Sequence, residues 1–307
     1  MARDALVTSD VNTRHMPGGA AKSNLRAFKT NWGMETFLRT MRLFSMASPS
    51  LAARVGAFLF LRPRRKPITY VKQLTDEATK IHVVHNEKQL VAYQWGTGDK
   101  TILLVHGWES HLGHTLPLVQ PLVDVGYKVI ALDGPGHGQS PQFFTNMIDY
   151  GDAVKATLDQ HGPFYGVVAK SFGGAATSLM LSREPYIQID KLVLLSPMKH
   201  LLQHIGIFET ILGYPDSMHT HIVNRIQRSI PLPIEECDVR EAVTTFQMPG
   251  LIIHDLDDQV IDPEGSLEIA KKYPQSILQN TQGLGHKGLV HDQQVQQSII
   301  DFLNQDE

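Results

Sequence analysis

The chain is poor in the features that announce most specialised classes. Its 307 residues include one cysteine, Cys237, so no disulfide forms within the chain and a cysteine-only metal site is excluded. No charged start followed by an apolar core marks a secretory signal, and a cytoplasmic location is the expectation. No segment supplies the roughly 20 apolar residues with few charges that a spanning helix needs. The one glycine-rich loop, Gly134 to Gly138, lacks both a phosphate-loop lysine and dinucleotide spacing, so no nucleotide or redox cofactor is expected. A net charge of -3 argues against nucleic acid as a partner, and no internal repeat or low-complexity segment is present.

What remains is an ordinary globular balance, 42% hydrophobic and 19% charged, on a chain long enough for a large core. Charge is unevenly placed: residues 14–72 carry 12 lysines and arginines against Glu35 alone. Large apolar side chains such as Phe37, Met41, Phe44, Phe58 and Phe60 are mixed with these cations, and Ser48-Pro49 interrupts the run. Two short amphipathic helices are predicted, over about 33–47 and 49–61. They could dock on an anionic membrane surface through residues 33–66, shape access to a lipid-like substrate, or pack on the catalytic domain with their arginines in water. The predicted organisation is a flexible tail at 1–32, a basic helical extension at 33–75, and a catalytic domain at 76–307 with a helical insertion at about 197–248.

From about residue 80 short apolar runs alternate with helical segments. Ile81 to Val84 and Leu90 to Tyr93 read as a hairpin about Asn86-Glu87-Lys88. Thr101 to Val105, Lys128 to Leu132, Tyr165 to Val168, Leu192 to Leu195, Leu251 to Ile253 and Ser276 to Leu278 read as buried strands. Helices are predicted at about 115–125, 147–161, 172–183, 263–272 and 288–304. The alternation implies a mostly parallel sheet covered on both faces.

Such sheets carry their sites in the loops at the C-terminal ends of the strands. There the chain places His106-Gly107-Trp108, then Asp133-Gly134-Pro135-Gly136-His137-Gly138-Gln139-Ser140, then Ser171, then His254-Asp255-Leu256-Asp257-Asp258, and finally Gly283-Leu284-Gly285-His286. Ser171 lies in Ala169-Lys170-Ser171-Phe172-Gly173-Gly174, between an apolar run and a helical one. A serine exposed on so tight a reversal needs small residues two before and two after, which Ala169 and Gly173 supply. Small-x-Ser-x-Gly also occurs in ordinary turns and N-caps, so its weight comes from the serine, acid and histidine following in order on separate strand ends.

Taken together these motifs resemble the α/β-hydrolase superfamily over about residues 80–304, and within it a little-characterised group of bacterial α/β-fold serine hydrolases. The resemblance implies an eight-stranded, mostly parallel sheet with helices on both faces and a helical cap. It also implies a serine hydrolase acting through an acyl-enzyme on a small or medium carboxylic ester or thioester, with no cofactor. Ser171 would be the nucleophile, His286 the base, and Asp258 the acid, with Asp257 as the fallback. The backbone N–H groups of Trp108 and Phe172 would form the oxyanion hole, supported by His106, Gly107 and Gly173. Lys170, where related chains often carry histidine, is expected to point away and pair with a surface acid.

In the insertion, Met198, Leu202 and Phe208, together with Trp108, are candidates for the substrate pocket. His200 and His204 have the spacing of a helical metal pair, but no third ligand is placed to join them, and no metal is expected. Acyl transfer and C–C bond hydrolysis use the same triad and stay open, as does a non-catalytic role in binding a small molecule or a membrane surface.

Overall fold

The computed structural model describes residues 32–68 and 78–305. The predicted tail therefore lies, but for Trp32, outside the described residues, as do the last residues of the predicted extension.

Eight strands form one sheet in the order β1-β2-β4-β3-β5-β6-β7-β8. Strands β1 (Thr79–His85) and β2 (Lys88–Trp95) make an antiparallel hairpin. Its turn residues Asn86 and Glu87 have φ of 46° and 60°, the left-handed pair that matches the twist of the flanking strands. Strand β2 then pairs antiparallel with β4 (Lys128–Leu132). From β4 onward every pairing is parallel, through β3 (Thr101–Val105), β5 (Gly166–Lys170), β6 (Lys191–Leu195), β7 (Gly250–Asp255) and β8 (Ser276–Thr281). Every residue of β3, β6 and β7 is buried, the reason these strands read as continuous apolar runs. Strand β8 runs past the predicted Leu278 because Gln279, Asn280 and Thr281 pair with the end of β7 at the sheet edge, where polar side chains meet solvent.

Helices α3 (Val119–Asp124), α4 (Met147–His161), α5 (Phe172–Arg183), α9 (Glu264–Lys272) and α11 (Gln293–Asn304) cover the sheet. Asn146 starts α4 where predicted, its side chain accepting from the N–H groups of Ile148 and Asp149. The helix predicted from 288 starts five residues later, because Asp292 accepts from the N–H of Val295 and so sets the N-cap. The segment predicted as a helix at 115–125 holds α3 preceded by a 3-10 turn, Leu116–Leu118, that contains Pro117, and a further 3-10 turn, Leu112–His114, lies just before it.

Between β6 and β7 the chain inserts α6 (Leu201–Ile211), α7 (His219–Gln227) and α8 (Val239–Ala242). The N-terminal helices α1 (Trp32–Ala47) and α2 (Pro49–Leu61) pack on this insertion. Ala52, Ala53, Ala57 and Phe60 are buried there, and the Tyr214 hydroxyl donates to the Ala52 carbonyl at 3.0 Å. Gly213, at φ 69°, lets Leu38 come so close that a Cβ would sit 3.2 Å from the Leu38 Cβ. Arg39, Arg42 and Arg54 are exposed. Among the described residues no helix is long and apolar enough to cross a membrane.

Phe60 is the bulkiest of these buried side chains, ringed by Trp108, His204 and Phe208 with centroids at 6.2, 5.4 and 5.3 Å. Phe60→Ala is expected to destabilise the protein by about 3–5 kcal/mol in urea denaturation, the range for emptying a buried aromatic site. A loss under about 1 kcal/mol would mean that the extension is not part of the cooperative fold.

Candidate active site

Ser171 stands at the junction of β5 and α5 with φ 53° and ψ -122°, a region that residues with a Cβ seldom occupy and that costs on the order of 1–3 kcal/mol. Neighbouring structure enforces it. The Ser171 N–H donates to Leu195 O at 2.9 Å, and the Ser171 carbonyl accepts from the Ala175 N–H at 3.1 Å. A Cβ at Gly173 would lie 2.2 Å from the His106 carbonyl oxygen, so only glycine fits there. At Gly107 a Cβ would be 3.2 Å from the Ser171 Cβ, so the loop carrying Trp108 lies directly on the serine. Phe172 opens α5, where the first N–H groups have no partner inside the helix and carry its positive end.

His286 lies in the short helix α10 (Gly285–Gly288), and its Nδ1 donates to Asp258 Oδ2 at 2.7 Å. The other Asp258 oxygen accepts from the N–H groups of Val260 and Ile261 at 2.8 and 2.9 Å, and His254 Nε2 stands 3.3 Å from Oδ2. Burial alone would push the Asp258 carboxyl up; the donors from His254, His286 and Ile261 outweigh it and hold it well below the ordinary carboxylate range. Asp258 is therefore a carboxylate at neutral pH. The bond fixes the proton of His286 on Nδ1 and leaves Nε2 as the basic nitrogen. Among the described residues no hydrogen bond joins Ser171 to His286; in unliganded sites this contact is often long and tightens only with substrate.

Two further acids shape the turn before His286. Asp255, fully buried, accepts from the N–H groups of Asp257, Leu284 and Gly285 and from the Thr281 hydroxyl. Asp257 accepts from the Gly283 N–H at 3.0 Å, so the structure pairs His286 with Asp258 and turns Asp257 to the backbone. In the sequence the one signal for these roles of Asp255 and His254 is their place at the end of an apolar strand, where a polar pair is buried.

His106 is fully buried, with Nδ1 donating to Gly107 O at 2.7 Å and Nε2 accepting from the Gly134 N–H at 3.1 Å. Burial pushes its pKa well below 6.5, so it is a neutral brace for the loop. His137 is held alike, accepting from the Glu109 N–H and donating to Pro135 O, with burial lowering its pKa to about 4.

The profile of the serine aminopeptidase S33 hydrolase family matches residues 96–229. A bifunctional esterase/perhydrolase of Acinetobacter calcoaceticus is 24% identical over 244 residues, covering 64% of this chain and 87% of that protein. The acetyltransferase component of the acetoin cleaving system of Cupriavidus necator is 34% identical over 105 residues, 33% of this chain, which spans only 28% of that relative's length. Among solved structures the Pyrococcus furiosus esterase Pf2001 superposes with a TM-score of 0.61 at 22% identity, covering 79% of this chain and 98% of that one. The chain has the α/β-hydrolase fold.

The region above the strand ends departs from the sequence expectations at two places, the pocket candidates and Lys170. Met198 is buried in the core and Leu202 packs against it, so neither lines the large cavity, whereas Trp108 and Phe208 do. His200 caps α6 by accepting from the Leu202 N–H, and His204 packs on the rings of Phe60, Trp108 and Phe172, which gives both histidines packing and capping roles. Lys170 does not reach a surface acid. It is half-buried and has no ion pair among the described residues, and burial lowers its pKa to about 8, with Asp258 opposing and Lys287 and Lys66 assisting.

A lysine whose folded pKa lies below its unfolded value of about 10.4 binds fewer protons folded than unfolded across the window between about 8 and that value. Its burial thus costs stability below that window, and the cost is relieved as pH rises. Lys170→Met is expected to raise Tm at pH 7, with the gain shrinking by about pH 10. A gain independent of pH would contradict the depressed pKa.

Proposed function

We propose that the protein is a serine hydrolase that cleaves a carboxylic ester or thioester through an acyl-enzyme, with Ser171, His286 and Asp258 as the triad. The observation that carries this reading is the strained backbone of Ser171 at φ 53°, held between β5 and α5 in a conformation that an ordinary turn or N-cap serine does not need. The 2.7 Å bond from His286 to a buried Asp258 supports it. So does the matched family of serine hydrolases.

In the proposed reaction Ser171 Oγ attacks the acyl carbon while His286 Nε2 takes the hydroxyl proton, and Asp258 stabilises the imidazolium that results. The oxygen of the tetrahedral intermediate receives the N–H groups of Trp108 and Phe172, each such donor contributing about 2.7–4 kcal/mol. Collapse expels the alcohol or thiol, which takes the proton from His286. Water then repeats the sequence on the acyl-serine and restores the hydroxyl.

Ser171→Ala is expected to abolish turnover of p-nitrophenyl acetate and labelling by a fluorophosphonate probe while the melting curve stays cooperative. Asp258→Asn is expected to lower kcat by about 10⁴-fold, since the amide favours the wrong histidine tautomer. Asp257→Asn should cost far less. Labelling that persists in Ser171→Ala would place the nucleophile elsewhere, and the reverse order of the two amides would move the acid to Asp257.

A further inference from the structure

A cavity of about 840 Å³ lies between the N-terminal extension, the Trp108 loop and α6, within the range of about 300–1,000 Å³ typical of small-molecule sites. Its apolar wall comes from both sides: Phe37 and Leu59 from the extension, Trp108 from the loop over Ser171, and Ile207, Phe208 and Ile211 from α6. Trp108 is the shared element, since its ring packs on Phe172 at 4.8 Å, one residue after the serine.

The segment after α2 adds charge. Arg62, Arg64 and Arg65 line the cavity against a single carboxylate, Glu109, and Arg64 holds that one with two bonds of 2.8 and 2.6 Å. Among the described residues Arg65 donates to the carbonyl oxygens of Ser140 and Gln142. Arg62 lies over the rings of Phe58 and Phe143, and among the described residues neither Arg62 nor Arg65 has an ion pair. Three cations against one anion leave an apolar chamber whose unneutralised charge is positive.

We propose that the extension forms one wall of the substrate chamber, and that the chamber takes an ester whose apolar chain ends in an anionic group held at Arg62 and Arg65. The inference rests on Ser171 being the nucleophile. The extension thus does more than pack on the domain. It encloses the chain of the substrate, and through the Arg64–Glu109 pair it braces the loop that carries Trp108.

The test compares kcat/KM for p-nitrophenyl acetate, p-nitrophenyl octanoate, and octanoate esters carrying a terminal carboxylate or a terminal phosphate. The wild type is expected to favour octanoate over acetate at least tenfold and one of the anionic chains over octanoate at least threefold; the stronger anionic arm names the headgroup. Ile207→Trp, which fills the chamber, is expected to cut the octanoate-to-acetate ratio at least tenfold. Arg62→Glu, on an exposed side chain that can change without disturbing the core, should cut the anionic-to-neutral ratio at least tenfold. Ratios that move less than twofold in both variants while esters still turn over would overturn the chamber and leave the triad intact. If no ester turns over and no fluorophosphonate label appears, the triad reading has failed instead. The chamber is then judged by a fluorescent fatty acid on wild-type protein: displacement by octanoate but not by octanol upholds it, and no binding overturns it.

Discussion

The Asp258 carboxylate gathers two backbone N–H groups and two imidazoles at one buried point, and the geometry of the site depends on it. Its charge survives burial only because those donors compensate for the lost water. In return it ties two otherwise separate pieces of chain together: the end of β7 with the loop after it, and the turn bearing His286. Asp255 repeats the device one turn earlier, drawing the Leu284 and Gly285 N–H groups onto its own carboxylate. Two neighbouring acids thus divide the labour, one building the turn and the other orienting the ring that the turn presents.

On the other side of Ser171 the same economy is reached with neutral groups. His106 and His137 each donate through Nδ1 to a carbonyl and accept through Nε2 from a backbone N–H. Burial keeps both uncharged, so the loop over Ser171 is braced without adding positive charge beneath it. Asp133 completes this wall by accepting from the Leu112 and Gln139 N–H groups, and Gly138 has no Cβ because that atom would fall on the Asp133 carboxyl. Preorganisation of this kind lowers the cost of reaction because donors need not rotate when charge develops.

The strands, their mostly parallel order and the placing of Ser171, Asp258 and His286 after β5, β7 and β8 were legible because buried strands must be apolar and their loops need glycine. Less was legible where several physical solutions meet the same pattern. An acidic run such as Asp255, Asp257 and Asp258 fits both a helix cap and a triad, and only the backbone path separates the roles. Apolar residues of the insertion faced the same ambiguity: Met198, in the loop after β6, entered the core while Phe208, on α6, lined a cavity. Lys170 departs from the surface pairing expected of it because a charge is ordinarily solvated, whereas here the end of a central strand leaves it half-buried near Lys66 and Lys287. The basic extension hid its role for a related reason. Ala52, Ala53, Ala57 and Phe60 pack inward on the insertion while Leu43, Met46, Leu51 and Phe58 are exposed, and its arginines read equally well as a solvated face.

The central claim, that Ser171 carries the acyl group during turnover, is tested most directly by quenching the protein in acid during p-nitrophenyl ester hydrolysis and mapping the peptides by mass spectrometry. The account predicts an added acyl mass on the peptide containing Ser171, released in step with product. Turnover with the acyl mass on a different residue, or with none trapped even when deacylation is slowed, would contradict it.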